Sequence, residues 1–359
     1  MDAAIHESGK MIKISGLGAR NIRSLKHLEN ITFKPITILV GRNSAGKSTF
    51  ARLLPLLKQS SEKRKQSPIL WWGRLVDFGT FEDVHSTFSK DDHIDITVAF
   101  EVSAFIFLLR TPYYRPREAQ LRQTGIINTT FRLEKKSEDG TTLLKELHLD
   151  IFGVKLILTF NGESVTALSL NNKPIDVPSN IRLGWHQGQL LPILRAINIG
   201  GMKTDATVND EALFGPRRFA RLGADRVKRA VANFLHGNTQ ADRIEEIADR
   251  LPVAPIDEFL SYCRNFPNST TTWSSIFKNV TVTSANLKEL HAAVVLYKLD
   301  LLLWTLDDAA QRHLADVSYL EPLRATAQRY YRREEISTDE IDPKGLNIPF
   351  FIQGLTTRE

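Results

Sequence analysis

Gly41-Arg42-Asn43-Ser44-Ala45-Gly46-Lys47-Ser48, followed by Thr49, is the stretch whose residue types and spacing point most directly to chemistry. It fits the phosphate-loop pattern G-x-x-x-x-G-K-[ST]. Gly41 and Gly46 allow backbone angles that a side chain would forbid. The backbone N–H groups of Asn43, Ser44, Ala45, Gly46, Lys47, Ser48 and Thr49 can then turn inward as an anion nest. A helix starting at the end of the loop adds partial positive charge. In such a loop Lys47 reaches the β- and γ-phosphates, and the Ser48 hydroxyl is a ligand for Mg²⁺. The pattern therefore predicts ATP with Mg²⁺ as ligands, and Lys47 and Ser48 as the residues acting in phosphoryl transfer. The competing reading is a turn that only resembles this loop.

Three basic clusters are candidates for contact with nucleic acid. Arg217, Arg218, Arg221, Arg226, Lys228 and Arg229 fall within thirteen residues that hold one acid, Asp225. At helical spacing Arg218, Arg221 and Arg229 lie broadly on one side. Arg110, Arg115 and Arg117 interleave with Tyr113 and Tyr114, and Arg324, Arg329, Arg332 and Arg333 with Tyr330 and Tyr331. Cations interleaved with aromatic rings suit a single strand, through phosphate contact and base stacking. A solvated or protein-facing surface is the alternative for each. The nine histidines are scattered without the spacing of a catalytic metal site.

The elements that would position the loop follow from periodicity. Ile36–Val40 is β-branched and reads as a strand entering the loop. Ser48–Leu57 reads as the helix leaving it, which Pro55 should kink or end. Met11–Leu17 and Asn30–Phe33 read as a strand pair ahead of the loop. Ile94–Phe100, Ile126–Leu133, Leu143–Ile151, Val154–Phe160 and Ser164–Leu170 alternate as antiparallel strands. Ala212–Leu235, Ala241–Leu251 and Ala285–Leu314 read as helices. Asn265–Ser275 reads as a loop, and Val317–Leu320 as a return strand. These elements predict residues 1–180 as a lobe with the loop and an antiparallel β-subdomain, 181–315 as a helical insertion, and 316–359 as a return segment.

The strand pair carrying "NIRSL" directly before the phosphate loop resembles the N-terminus of ABC-type ATPases of the SMC, RecF and OLD group. "LVDFGTFEDV" at Leu75–Val84, "LEPLRATAQRYY" at Leu320–Tyr331 and "DPKGLN" at Asp342–Asn347 resemble stretches of standalone ATPases from anti-phage systems, Septu-type and retron-associated ones among them. The resemblance implies an α/β fold, the partial P-loop NTPase head of an ABC-type ATPase with an antiparallel β lobe and a helical insertion. It implies that Arg23 lies close to the nucleotide; a solvated turn residue is the alternative. It implies head-to-head self-association and control of a nuclease, a reverse transcriptase or another nucleic-acid partner in a defence operon. A RecF-like repair ATPase and a nucleotide-sensing scaffold with little hydrolysis are the other readings.

Several parts of the resembled head are missing from the sequence. Its magnesium-sensing glutamine has no match in Ser67–Val102, where Asp77 is either a substitute or a turn residue before Gly79. No Ser-Gly-Gly signature loop is present. "LLLWTLDD", Leu301–Asp308, ends in two carboxylates as a water-positioning strand would, but it sits in a helical pattern, where a solvated helix face is expected. The chain therefore resembles the first part of that ATPase, and is expected to bind nucleotide while turning it over negligibly.

Composition sets the outer limits. The 359 residues are 42% hydrophobic and 25% charged, ordinary for a globular protein. The net charge of +6 is mild and suits an acidic partner. Cys263 is the lone cysteine, so no internal disulfide can form. The apolar run Ala292–Leu306 is broken by Lys298 and Asp300 and is too short to span a bilayer. No signal-peptide core is visible at the start, and a cytoplasmic protein without membrane contact is expected.

Overall fold

The computed structural model describes residues 12–62, 67–104, 120–136, 140–177, 181–184, 189–196, 222–267 and 269–321, with 342, 343, 345, 347 and 348. They form a mixed α/β fold built on one ten-stranded sheet. Its strands are β1 (Ile12–Ile22), β2 (Leu25–Thr32), β3 (His93–Ala104), β4 (Gln120–Lys135), β5 (Thr142–Ile151), β6 (Val154–Asn161), β7 (Ser164–Leu170), β8 (Lys173–Ile175), β9 (Ile181–Gly184) and β10 (Ile193–Ala196). The order is β10-β9-β7-β6-β5-β4-β3-β1-β2, with β8 paired to β7, and the pairs are antiparallel. The expected antiparallel lobe is therefore present, and its sheet continues to Ala196.

Alternation decides which face is buried. Ile94, Ile96, Val98, Phe100 and Val102 of β3 are all fully buried, as are Phe131 and Leu133 of β4 and Leu147 of β5. Side chains at every second position share a face, so these residues form one apolar surface. The opposite face carries a polar chain. Arg132 grips Asp95 with two nitrogens (3.0 and 3.1 Å) and Glu146 with a third (3.0 Å), and His148 bonds Glu146 (2.6 Å).

Nine helices are described. The first three are α1 (Lys47–Ala51), α2 (Leu53–Glu62) and α3 (Phe81–Val84). The rest form a second group: α4 (Ala224–Ala232), α5 (Ala241–Arg250), α6 (Ile256–Arg264), α7 (Thr271–Asn279), α8 (Ala285–Tyr297) and α9 (Leu299–Ala315). Helix α9 packs on α2, β1, β10 and α8 and so ties this group to the sheet.

Several sequence expectations need correction. Ile36–Val40 forms no strand and pairs with none among the described residues, and Ile36, Ile38 and Val40 are 82%, 78% and 86% exposed. A β-branched pattern favours a strand, but a ladder needs a neighbour as well. The helix predicted from Ser48 to Leu57 breaks at Arg52, three residues before Pro55, which has no N–H to offer the Ala51 carbonyl. Asn265–Ser275 is not all loop. Thr270 caps α7 by accepting from the Trp273 N–H (3.1 Å), and Trp273 buries against Phe277 (ring centroids 4.4 Å apart). That burial outweighs the weak helix propensity of Thr270-Thr271-Thr272. Helix α6 has no counterpart among the expected elements, and Ala285–Leu314 is two helices divided at Lys298. Val317–Leu320 forms no strand. Of the helix expected over 212–235, residues 212–221 lie outside the described residues.

Candidate nucleotide-binding loop

Residues 41–48 sit between the unpaired segment 36–40 and α1. Gly41 has φ 154°, Ser44 63° and Gly46 93°. Gly46 is the tightest position. A Cβ there would stand 2.4 Å from Leu25 Cδ2 and 3.1 Å from Ser24 Oγ. Its φ and its neighbours both require glycine. Leu25 and Ser24 belong to the β1–β2 hairpin, so the hairpin fixes the end of the loop. No side chain caps the N-terminus of α1, which leaves its first N–H groups for a ligand.

Lys47 folds back over the loop. Its ammonium donates to the Gly41 carbonyl (2.8 Å) and the Arg42 carbonyl (2.7 Å). These are neutral acceptors, so its positive charge is not cancelled by an ion pair there. Asn43, Ser44, Ala45 and Ser48 are exposed, Lys47 is half-buried, and Gly46 and Thr49 are buried. The cradle is therefore open, and the Ser48 hydroxyl can reach an incoming metal ion. Exposed amides, a cation and a hydroxyl are the donor set that a Mg²⁺-bound triphosphate requires.

Arg23 occupies the two-residue turn of the hairpin. Its φ of 49° and the 60° of Asn21 are unusual for residues with side chains. The turn is held by Arg23 N–H to the Val84 carbonyl (2.7 Å) and Ser86 N–H to the Asn21 carbonyl (3.0 Å). Strained backbone that persists against such a cost marks a position the surroundings dictate. The guanidinium donates to the Phe78 carbonyl (3.0 Å) and lies 4.8 Å from the Phe78 ring centroid. The Arg23 backbone adjoins the loop through Ser24, while its side chain is directed at residues 78–83. There, Asp83 accepts from the Thr80 N–H and hydroxyl, and these bonds, with a smaller contribution from Arg23, hold its carboxyl below the usual range.

Asp77 is a turn residue. Its Oδ1 accepts from the Gly79 N–H (2.8 Å), and Gly79 has φ 83°. The neighbouring segment is organised by Gln59 of α2, which the sequence did not mark. Its amide donates to the Leu70 and Val76 carbonyls and accepts from the Leu75 and Val76 N–H groups.

The two candidate carboxylates of Leu301–Asp308 have other roles. Asp307 is not solvated: it is 2% exposed and accepts from the Leu190 and Leu191 N–H groups, each at 2.7 Å. Asp308 pairs with Arg312 on its own helix (2.6 Å). Among the described residues, no group of three or more His, Cys, Asp or Glu side chains is placed to hold a metal ion.

Of the basic cluster on α4, Arg226 pairs with Glu289 (2.7 Å) and Lys228 with Glu245 (2.9 Å). Arg229 is exposed, its Nε near the Asp225 carbonyl. Arg217, Arg218 and Arg221 lie outside the described residues, as do Arg110–Arg117 and Arg324–Arg333.

Among the described residues, no helix is long and apolar enough to cross a membrane. Residues 12–171, somewhat less than half of the chain, match the model of the AAA ATPase domain family. No curated protein matches the chain.

Proposed function

We propose that this chain binds ATP with Mg²⁺ at Gly41–Thr49 and works as a nucleotide-controlled ATPase-type switch. The observation that carries the reading is the loop itself. Gly46 has a φ of 93° that side chains rarely adopt and packs against Leu25, Lys47 is turned inward over the loop, and the N-terminus of α1 is uncapped. The match of residues 12–171 to an ATPase domain supports it. Backbone N–H groups of residues 43–49 would hold the phosphates, Lys47 would neutralise them, and Ser48 would ligate the metal. Mg²⁺ would supply further charge neutralisation at the β- and γ-phosphates.

Hydrolysis also needs a group that positions water. Asp307 and Asp308, the candidates among the described residues, are committed to structural bonds, so we assign the chain nucleotide binding with negligible turnover. This engagement favours the scaffold reading, in which nucleotide occupancy is the signal. The finer reading is a head-to-head dimer controlling a nuclease, reverse-transcriptase or other nucleic-acid partner in phage defence. It rests on the resemblance of Leu75–Val84 and Leu320–Tyr331, with Arg218, Arg221 and Arg229 as the residues offered to nucleic acid.

The test is ATP·Mg²⁺ titration of the chain beside Lys47→Ala. The substitution should abolish binding and leave the fold intact, because the ammonium bonds the loop's own carbonyls. Unchanged affinity in the variant would sink the proposal.

A further inference from the structure

Helix α9 is held at three buried points along its length. At its start Lys298 is 1% exposed, and its ammonium donates to the carbonyls of Asp249 (3.1 Å) and Leu251 at the end of α5. Midway, Asp307 takes the N–H groups of Leu190 and Leu191. Beyond its end, Lys58 of α2, 5% exposed, donates to the carbonyls of Ala315 (2.9 Å) and Val317 (2.7 Å). Arg52 adds a bond from Nε to the Tyr319 hydroxyl (3.0 Å). Buried charges are costly to leave without partners, so each point resists sliding of the helix past its neighbour.

These points form a line through the molecule. Arg52 is where α1, carrying Lys47 and Ser48, passes into α2. A shift of α1 therefore acts on Arg52 first, then on Tyr319 and the end of α9. The 17 residues of α9 span about 26 Å. Because Lys298 fixes the far end to α5, a displacement at the near end reaches α5. We propose that α9 is a strut that carries the nucleotide state of the loop to helices α5 and α8, with Lys58 and the Arg52–Tyr319 bond as its joint. The proposal rests on nucleotide binding at Gly41–Thr49. Its physical content is a rigid element whose two ends are bonded to different parts of the fold.

Hydrogen exchange of the full chain with and without ATP·Mg²⁺ tests it. The wild type should show slowed exchange at residues 41–49 together with altered exchange at residues 245–251 of α5. Lys58→Met combined with Tyr319→Phe should keep nucleotide affinity and the change at the loop, and lose the change at α5. Should the double variant fail to fold, Tyr319→Phe alone removes one of the two connections and should reduce the change at α5 while leaving that at the loop. Nucleotide binding to the wild type without any change at α5 overturns the strut alone. A change at α5 that survives undiminished in the variants overturns it too. Failure of the wild type to bind nucleotide overturns both this inference and the function on which it rests.

Discussion

At the residue scale, Gly46 separates a phosphate loop from a chance turn. Gly46→Ala adds a methyl group at φ 93° and against Leu25. It should cost about 1–3 kcal/mol of stability or reshape the loop, and nucleotide affinity should fall about tenfold or more, the equivalent of about 1.4 kcal/mol. Adding Leu25→Ala removes the contact but not the backbone strain, so affinity should not return. Recovery in the double variant would show that packing alone restricts the site. Asp307 carries the opposite expectation. Asp307→Ala leaves two buried N–H groups unpaired and should lower unfolding stability by about 3 kcal/mol. Nucleotide affinity should be unchanged, because Asp307 bonds Leu190 and Leu191, not the loop. Measurable phosphate release by the wild type that Asp307→Asn abolishes without unfolding would return Asp307 to a water-positioning role.

At the element scale, the exposed segment 36–40 stands out. Three alternate β-branched residues, Ile36, Ile38 and Val40, face away from the packed core and meet no strand among the described residues. Exposed apolar side chains grouped in one segment favour association. Replacing all three with Thr preserves β-propensity, and at positions this exposed each should change stability by less than about 0.5 kcal/mol. Concentration-dependent self-association, followed by light scattering, should fall. A large loss of thermal stability would instead mean that the segment is packed in solution. The helical elements show the contrary case. Helix α7 has a weakly helical start, yet Trp273 and Phe277 bury against Phe234, and the aromatic packing holds it in place.

At the scale of the whole molecule, the buried Lys298 should give stability a pH dependence. Burial pushes its pKa from 10.5 to about 7, against a smaller opposing pull from Asp249. The folded chain thus gives up this proton near pH 7, whereas the unfolded chain keeps it to about pH 10.4. Between those values the unfolded state binds more protons, so stability should rise with pH through that window and gain nothing from Lys298 below it. The rise should amount to a few kcal/mol at most, with a limiting slope of about 1.4 kcal/mol for each pH unit crossed. Lys298→Met should flatten it. Denaturant midpoints from pH 6.5 to 10 check this, and a slope identical in wild type and variant would remove Lys298 as its source.

The sequence by itself determined the elements whose signals are local. Gly41 to Thr49 declared the loop because positive φ and backbone N–H groups depend on residues close in the chain. The strands from Ile94 to Leu170 were legible because alternation shows directly which face is buried. Asn21 and Arg23 were marked by "NIRSL", but their left-handed turn was not visible in it. Only the tertiary structure decided the rest, because it depends on residues far apart. Ile36–Val40 has the composition of a strand, yet pairing requires a neighbour, and composition does not supply one. Asp307 has the look of a solvated or catalytic carboxylate until the backbone of Leu190 and Leu191 closes on it. Lys298 reads only as a charge interrupting an apolar run, and nothing in the sequence marks Lys58. Folding buries both, because the ends of α9 and α5 present carbonyls to their ammonium groups.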